Sequence, residues 1–237
     1  MSKAGRRTAA AAGFCFLFAV ILLVTAMSVY NIAGNKDVLA TQMRRFSTPE
    51  HSGLPDEEYP EVGRMIAVYL TGGGKTFQHT YTDSDGNTVE CFSDREADHM
   101  ADCRDLIALA GRFRRYSGIA AAVLFAVGVL LWKYRRSFST GMLAGFGLTV
   151  LICLAILAWS IIDFDSLFTA FHRLAFTNDG WLMDARTDML VRLMPTLFFR
   201  SLGIKVLMAA AVAAAVCFIA AMAIRLTSRL REEDGEA

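Results

Sequence analysis

The stretch that decides the fold reads AAAAGFCFLFAVILLVTAMSVY at residues 9–30. It contains no charged residue, and an apolar run of about 18 residues or more can cross the hydrocarbon core of a bilayer as one helix. Comparable apolar runs occupy residues 117–134, 142–162 and 202–224. The sequence therefore predicts a membrane protein with four spans.

The composition of the whole chain favours the same class. Hydrophobic residues make up 54% and charged residues 20% of the 237 residues, whereas soluble domains average roughly 45–50% and about 25%. Lys and Arg number 24, Asp and Glu number 23, and the net charge is +1. Without a basic surplus, nucleic acid is not expected as a partner. Five cysteines are too few for a disulfide scaffold.

The first apolar run could also belong to a secretory signal, because Lys3, Arg6 and Arg7 precede it. Its length exceeds the usual signal core of about 7–15 residues, and no small-x-small cleavage site follows. We expect a retained membrane anchor.

Basic residues mark the side of the membrane on which each short segment lies, because short cytoplasmic loops retain positive charge. Such residues precede the first span, separate the second from the third, and follow the fourth. Both termini are therefore predicted to be cytoplasmic. The expected order is the N-terminus and first span (1–30), an extracytoplasmic cap (31–116), two spans with a short cytoplasmic loop (117–162), a second cap segment (163–201), and the last span with a cytoplasmic tail (202–237).

The cap segments have mixed local signals. Asp56 precedes apolar residues at helical spacing up to Leu70, and residues 76–82 and 88–92 have strand-like composition on either side of a turn-rich stretch. Ser93 and Glu96 form a capping box, so a helix should begin at Asp94. The predicted fold class is a mainly α membrane protein, a four-transmembrane-helix bundle with a small α+β extracytoplasmic cap.

Two histidines stand out as candidate functional residues. On the helix that begins at Asp94, His99, Asp102 and Cys103 share one face, and Asp102 is placed to orient His99. A second helix over residues 164–176 would surround His172 with aromatic residues at helical spacing, and Trp181 follows. Asp184 is predicted to cap a further helix over 185–194, which Pro195 ends. An aromatic belt at the membrane surface is the alternative interpretation of this segment.

Several other patterns are weak. Glu96-x-x-His99 is half of a di-metal motif, but the sequence has no second copy, so no metal is expected. Cys91 and Cys103 are predicted to be too far apart for a disulfide, because Cys103 lies well along a helix. His51 and His79 are expected at the surface.

The strings FSDREADHMAD at 92–102, FTAFHRLAFTNDGW at 168–181 and DARTDMLVRLMPTLFF at 184–199 resemble a bacterial family of four-span membrane proteins that includes the lipoprotein intramolecular transacylases. The resemblance covers almost the whole chain. The sequence departs from the usual residues of that family at Cys103, Ala175 and Ala185.

The resemblance implies an activity and roles for particular residues. A diacylglyceryl lipoprotein with a free N-terminal cysteine amine would become the lyso form, as the sn-2 acyl chain moves from the glycerol to that amine. His99 and His172 would be the catalytic base and acid, in an order that the sequence leaves open, with Asp102, Asn178 and Glu96 in support. The substrate pocket would be formed by Phe168, Phe171, Phe176 and Trp181. No cofactor is implied, and the partners are the lipoprotein and membrane lipid of a bacterial cell membrane.

Two other functions fit the sequence less well. One is a non-enzymatic membrane sensor or accessory protein whose extracytoplasmic cap binds a partner. The other is a metal-dependent membrane hydrolase that uses His99, His172 and Asp102. The first would co-purify with a protein, and the second with a stoichiometric metal.

Overall fold

The computed structural model describes residues 2–83 and 85–233, which are mainly helical. The bounds of the elements are α1 (Lys3–Ala33), α2 (Lys36–Phe46), α3 (Pro49–Ser52), α4 (Tyr59–Leu70), β1 (Thr80–Thr82), β2 (Thr88–Glu90), α5 (Asp94–Leu130), α6 (Arg135–Ile162), α7 (Phe164–Ala175), α8 (Met189–Leu193) and α9 (Thr196–Glu233), with 3-10 turns at Asp56–Glu58 and Trp132–Tyr134.

Within the described residues, four helical segments are long and apolar enough to cross a membrane: Lys3–Ala33, Asp94–Leu130, Trp132–Ile162 and Thr196–Leu230. The four predicted spans are thereby confirmed. The α5 helix is longer than a span requires, and its charged first half precedes the apolar run that begins near residue 117.

One compact unit comprises Met1–Met27, Arg112–Ala158 and Val206–Ala237. Its core joins the apolar parts of α1, α5, α6 and α9 through contacts such as Phe16 with Phe125 and Phe146 with Phe218. Large apolar side chains remain exposed on the outer faces of these helices. That pattern is typical of a bundle whose surroundings are lipid.

Glycine makes the crossing of α1 and α6 possible. A Cβ atom at Gly13 would lie 2.0 Å from the carbonyl oxygen of Phe138, and one at Gly141 would lie 1.8 Å from that of Ala10. Two backbones can approach this closely only where no side chain stands between them. Gly13 and Gly141 therefore set the distance between the two helices.

The second compact unit comprises Ser28–Gly111 and Trp159–Lys205. In its core, α2 packs against α4, and the hairpin, α8 and the starts of α5 and α9 add apolar side chains. Among the buried residues of this core are Leu39, Met43, Tyr59, Val62, Ile66, Phe77, Phe92, Met189, Leu193 and Phe198.

The predicted hairpin is present but shorter than expected. Thr80 pairs with Glu90 and Thr82 with Thr88 in an antiparallel register. Asp83 Oδ1 accepts hydrogen bonds from the amides of Asp85 and Asn87, which holds the turn closed.

Two helices of the second unit differ from the sequence predictions. The helix predicted over 185–194 begins only at Met189, because the backbone of its cap residue Asp188 is extended and Asp188 instead accepts a hydrogen bond from the Asp184 amide. No helix was predicted over Lys36–Phe46, although Asn35 caps it by accepting hydrogen bonds from the amides of Asp37 and Val38.

Candidate active site

His99 is positioned by the predicted capping box at the start of α5. The Glu96 carboxylate accepts a hydrogen bond from the Ser93 amide at 2.8 Å, and the Ser93 hydroxyl lies 3.4 Å from the Glu96 amide. The box fixes where the helix begins and therefore which residues of its first turns face the core. His99, one turn further on, is only 7% exposed.

Glu96 has a second partner that its position in the sequence does not reveal. Its other carboxylate oxygen, Oε1, accepts a hydrogen bond of 2.6 Å from the amide of Leu190. That amide lies in the first turn of α8, where a helix leaves donors unpaired. One carboxylate, 2% exposed, thus satisfies donors at the starts of α5 and α8. Its predicted supporting role stays a prediction, which this contact supports.

His172 lies on α7, which forms as the aromatic spacing predicts. Asp163 caps the helix by accepting a hydrogen bond from the Ser166 amide at 2.9 Å. Phe168 and His172 are one turn apart on the same face, and Phe176 ends the helix with an extended backbone. His172 is 7% exposed, so an imidazole is buried on an otherwise apolar face.

Aromatic rings surround the two imidazoles. The ring centroid of His172 lies 4.1 Å from that of Phe168, 5.5 Å from Phe171, 5.6 Å from Phe176 and 5.0 Å from Trp181. The His99 ring lies 5.1 Å from Phe176. All four residues predicted for a substrate pocket are thus brought to the two histidines.

The two imidazole rings are stacked, with 6.1 Å between their centroids and 27° between their planes. The residues lie far apart in the sequence and on different helices, so only the tertiary structure could bring them together. Because neither side chain is exposed, the charged form of either ring loses hydration, and the structure favours a neutral pair.

The hydrogen bond of His172 determines which nitrogen carries its proton. Nδ1 lies 2.8 Å from the carbonyl oxygen of Phe168. Because a carbonyl oxygen can only accept, Nδ1 donates, and in the neutral ring Nε2 carries the lone pair. Burial lowers the pKa of His172 from its ordinary value, and the Phe168 carbonyl opposes this in part.

The surroundings of His99 differ from the prediction. Its Nε2 atom lies 3.5 Å from the sulfur of Cys103, and its Nδ1 atom is buried without a hydrogen-bond partner in the described part of the chain. Asp102 does not hydrogen-bond to His99. Its carboxylate accepts a hydrogen bond of 2.8 Å from the Asn178 side chain instead. Residues at i and i+3 share a helix face without having to touch, so Asp102 makes no direct hydrogen bond to His99, and its orienting role stays a prediction.

The contact between Asp102 and Asn178 is one of several that hold α5 against the segment after α7. Arg95 donates to the carbonyl of Leu182, and Glu96 accepts from Leu190 as described. Asn178 Oδ1 also accepts a hydrogen bond from the Gly180 amide at 3.0 Å. These contacts hold the helix of His99 against the segment that follows His172. The role of Arg95 could not be predicted from the sequence, because an arginine in the first turn of a helix is common.

Groups of three or more potential metal ligands do not occur among the described residues. His79 was expected at the surface, but its side chain is only 13% exposed and its Nε2 atom lies 2.8 Å from a carboxylate oxygen of Glu58. The prediction was wrong because the fold brings Glu58, 21 residues earlier in the chain, next to His79. His51 is exposed as predicted.

Comparison with solved structures identifies the same arrangement of helices in a known enzyme. The chain is similar to the membrane integral lipoprotein intramolecular transacylase Lit from Bacillus cereus, with a TM-score of 0.76 and 16% identity over 94% of this chain and 99% of that one. A variant of that protein with a histidine-to-alanine substitution matches with a TM-score of 0.71 and 16% identity, over 94% of this chain and 96% of the other. The comparison with curated proteins gives no match.

A family model decides the relationship. The model described as lipoprotein intramolecular transacylase Lit matches residues 13–199, a range that contains both histidines, the aromatic rings around them and most of the predicted spans. The match favours an acyltransferase over the sensor or accessory protein. The chain is a bacterial membrane protein that belongs to the lipoprotein intramolecular transacylase Lit family.

Proposed function

We propose that this protein moves the sn-2 acyl chain of a diacylglyceryl lipoprotein to the amine of its N-terminal cysteine, and so produces the lyso form. The reaction exchanges an ester for an amide within one substrate molecule. The observation that carries the proposal is the buried pair of stacked imidazoles within an aromatic enclosure, 6.1 Å apart, in a chain of this family.

His172 is the base in this proposal. A neutral imidazole with its proton on Nδ1 offers the Nε2 lone pair to a proton of the attacking amine. When Nε2 accepts that proton, the Nδ1 donor remains bonded to the Phe168 carbonyl, which stabilises the imidazolium. The same Nε2–H can then protonate the glyceryl oxygen as the ester bond breaks, so one histidine removes and returns the proton.

His99 is the second catalytic group. The attack places negative charge on the former ester carbonyl oxygen, and a neutral imidazole donor in a site without water stabilises that charge. Asn178 is less suited to this task than His99, because its side-chain amide already bonds to Asp102 and Gly180. We assign Asp102, Asn178 and Glu96 to positioning the helix of His99.

The aromatic residues shape the pocket and exclude water. The amine and the ester are joined by a flexible glyceryl thioether, so the enzyme must fold the substrate until the two groups meet. Holding reacting groups together can contribute several kcal/mol, up to about 7–11 in favourable intramolecular cases. We assign to Phe168, Phe176 and Trp181, whose rings contact His172, the exclusion of water that would hydrolyse the ester. Phe171 also contacts His172 but is 49% exposed, so we assign it to the rim of the pocket.

Mass spectrometry of a synthetic diacylglyceryl lipopeptide tests the proposal. The purified protein in lipid should leave the total mass unchanged, while fragmentation finds one acyl chain on the amine. Loss of the mass of one acyl chain would indicate a hydrolase, and an unaltered fragmentation pattern would exclude transacylation of this substrate.

The pH dependence should report the buried state of His172. Protonation of the substrate amine, with a pKa of about 8, lowers kcat/KM with a slope of one as pH falls. Because burial lowers the pKa of His172, its neutral form persists below the ordinary imidazole value of about 6.5. We expect the slope to become two only below that pH. Initial rates across the acid range measure this, and a second break above 6.5 would contradict the assignment of His172.

We also propose that both termini are cytoplasmic and that residues 31–116 and 163–201 are extracytoplasmic. The basic residues beside the short segments support this orientation, as does the substrate, whose modified N-terminus is exposed outside the cytoplasm in the proposed reaction. A fluorescent protein that folds only in the cytoplasm should fluoresce when fused after residue 237. A dark fusion that is full length in membranes would reverse the orientation.

A further inference from the structure

The thiol of Cys103 contacts the site at a place that the proposed mechanism does not use. Its sulfur lies 3.5 Å from Nε2 of His99, one turn further along α5. The structure records no disulfide partner for it among the described cysteines. A thiol and an imidazole at this distance share a proton or a hydrogen bond, so the state of Cys103 affects which nitrogen of His99 carries a proton.

Two arrangements of that hydrogen bond are possible. In one, Nε2–H donates to sulfur, and in the other, the thiol donates to the Nε2 lone pair. Sulfur is a weak acceptor, whereas an imidazole lone pair is a strong one. A thiolate next to an imidazolium would place two charges in a buried, aromatic setting, which desolvation opposes. The neutral pair with the thiol as donor is the favoured arrangement.

This assignment determines the state of the other nitrogen of His99. If Nε2 accepts, Nδ1 carries the proton of the neutral ring. Nδ1 is buried and has no partner among the described residues, and a buried donor without an acceptor is costly. A substrate oxygen that accepts this hydrogen bond removes the cost. The unpaired Nδ1 is thus a donor that is available to the substrate.

We propose that Cys103 is a positioning residue that fixes His99 in its Nδ1–H form, so that His99 donates a hydrogen bond to the carbonyl oxygen on which negative charge develops. This inference rests on the proposed function. It also separates the two histidines chemically. His172 moves the proton through Nε2, and His99 stays neutral and stabilises charge, so the sulfur of Cys103 forms no covalent bond with the acyl group.

Substitutions at Cys103 test the role in catalysis. Cys103→Val removes the donor at similar volume, so Nε2 and Nδ1 can both carry the proton. We expect kcat to fall about fivefold, the usual worth of one neutral hydrogen bond, with KM unchanged. Cys103→Ser restores a donor and should recover most of the loss. Cys91→Val is the matched control. Cys91 is a buried thiol in the same unit, and burial raises its pKa to about 12. The Cys91→Val variant therefore also loses a neutral thiol, but away from the histidines.

Nitrogen NMR of protein labelled with ¹⁵N-histidine tests the tautomer directly, because protonated and unprotonated ring nitrogens have well-separated shifts. We expect His99 to show a protonated Nδ1 and an unprotonated Nε2, and the Cys103→Val variant to show a mixture. Assignment comes from the spectrum of a His99→Gln variant, which lacks one pair of signals.

Three results would overturn the proposal. A protonated Nε2 on His99 in the unmodified protein would show that the thiol accepts, and an acyl group found on Cys103 by mass spectrometry would show a covalent role. A Cys103→Val variant with unchanged kcat and unchanged nitrogen shifts would show no role at all. Since the spectrum needs no substrate, failure of transacylation itself is distinguishable from failure of the tautomer assignment.

Discussion

Replacement of His172 by glutamine is expected to lower kcat for acyl transfer by about a hundredfold to ten-thousandfold, the usual contribution of a positioned general base. Glutamine retains a polar side chain of similar size but offers no lone pair that accepts a proton at neutral pH. The substrate amine then has no base that can accept its proton, while the aromatic rings that surround the site remain. The rate of appearance of the N-acyl lipopeptide measures the effect.

The same substitution at His51 is the matched control. His51 is exposed and lies in α3, so His51→Gln should leave the rate unchanged. Both variants should appear in the membrane fraction in normal amounts and unfold at similar temperatures. A His172→Gln variant within about twofold of the unmodified rate would exclude His172 as the base and would make the stacked pair of imidazoles a packing feature.

Substitution of Gly141 by alanine is expected to destabilise the membrane bundle by about 1–3 kcal/mol or more, the range for overpacked cores. The added Cβ would lie 1.8 Å from the carbonyl oxygen of Ala10, and neither atom belongs to a flexible side chain. The two helices must separate, and the neighbouring contact of Gly13 with the Phe138 backbone is lost as well. The midpoint of thermal unfolding in detergent measures the loss.

Gly147 provides a control on the same helix. A Cβ atom there meets nothing within 4 Å, and alanine favours a helix over glycine by up to about 1 kcal/mol. Gly147→Ala should therefore unfold at the same or a slightly higher temperature. Equal midpoints for the two variants would show that α1 and α6 do not cross as closely as the structure indicates.

The apolar runs and the helical spacing of the sequence predicted most of the architecture. Residues 9–30 specify a span because about 20 apolar residues in a row are long enough to cross a bilayer, and the capping box at Ser93 specifies the start of α5 because both of its hydrogen bonds are local. The start of α8 was predicted four residues too early, because the first turn of this helix bonds to the distant carboxylate of Glu96, which no local pattern contains.

The same distinction applies to the site. His99, His172 and the aromatic residues were identified from spacing, because helical periodicity alone places side chains on one face. The sequence could not show that the two rings stack, that Asp102 bonds to Asn178 and not to His99, or that Phe168 fixes the proton of His172.

What the sequence determined by itself is therefore the four spans, the start of α5 at its capping box, and the identity of the candidate catalytic side chains. Only the tertiary structure decided which residues of α5 contact α7 and the segment after it. The reason is physical, since hydrophobic period and caps act between residues a few positions apart, whereas hydrogen bonds and ring contacts in the site join α5 to a segment more than seventy residues away along the chain.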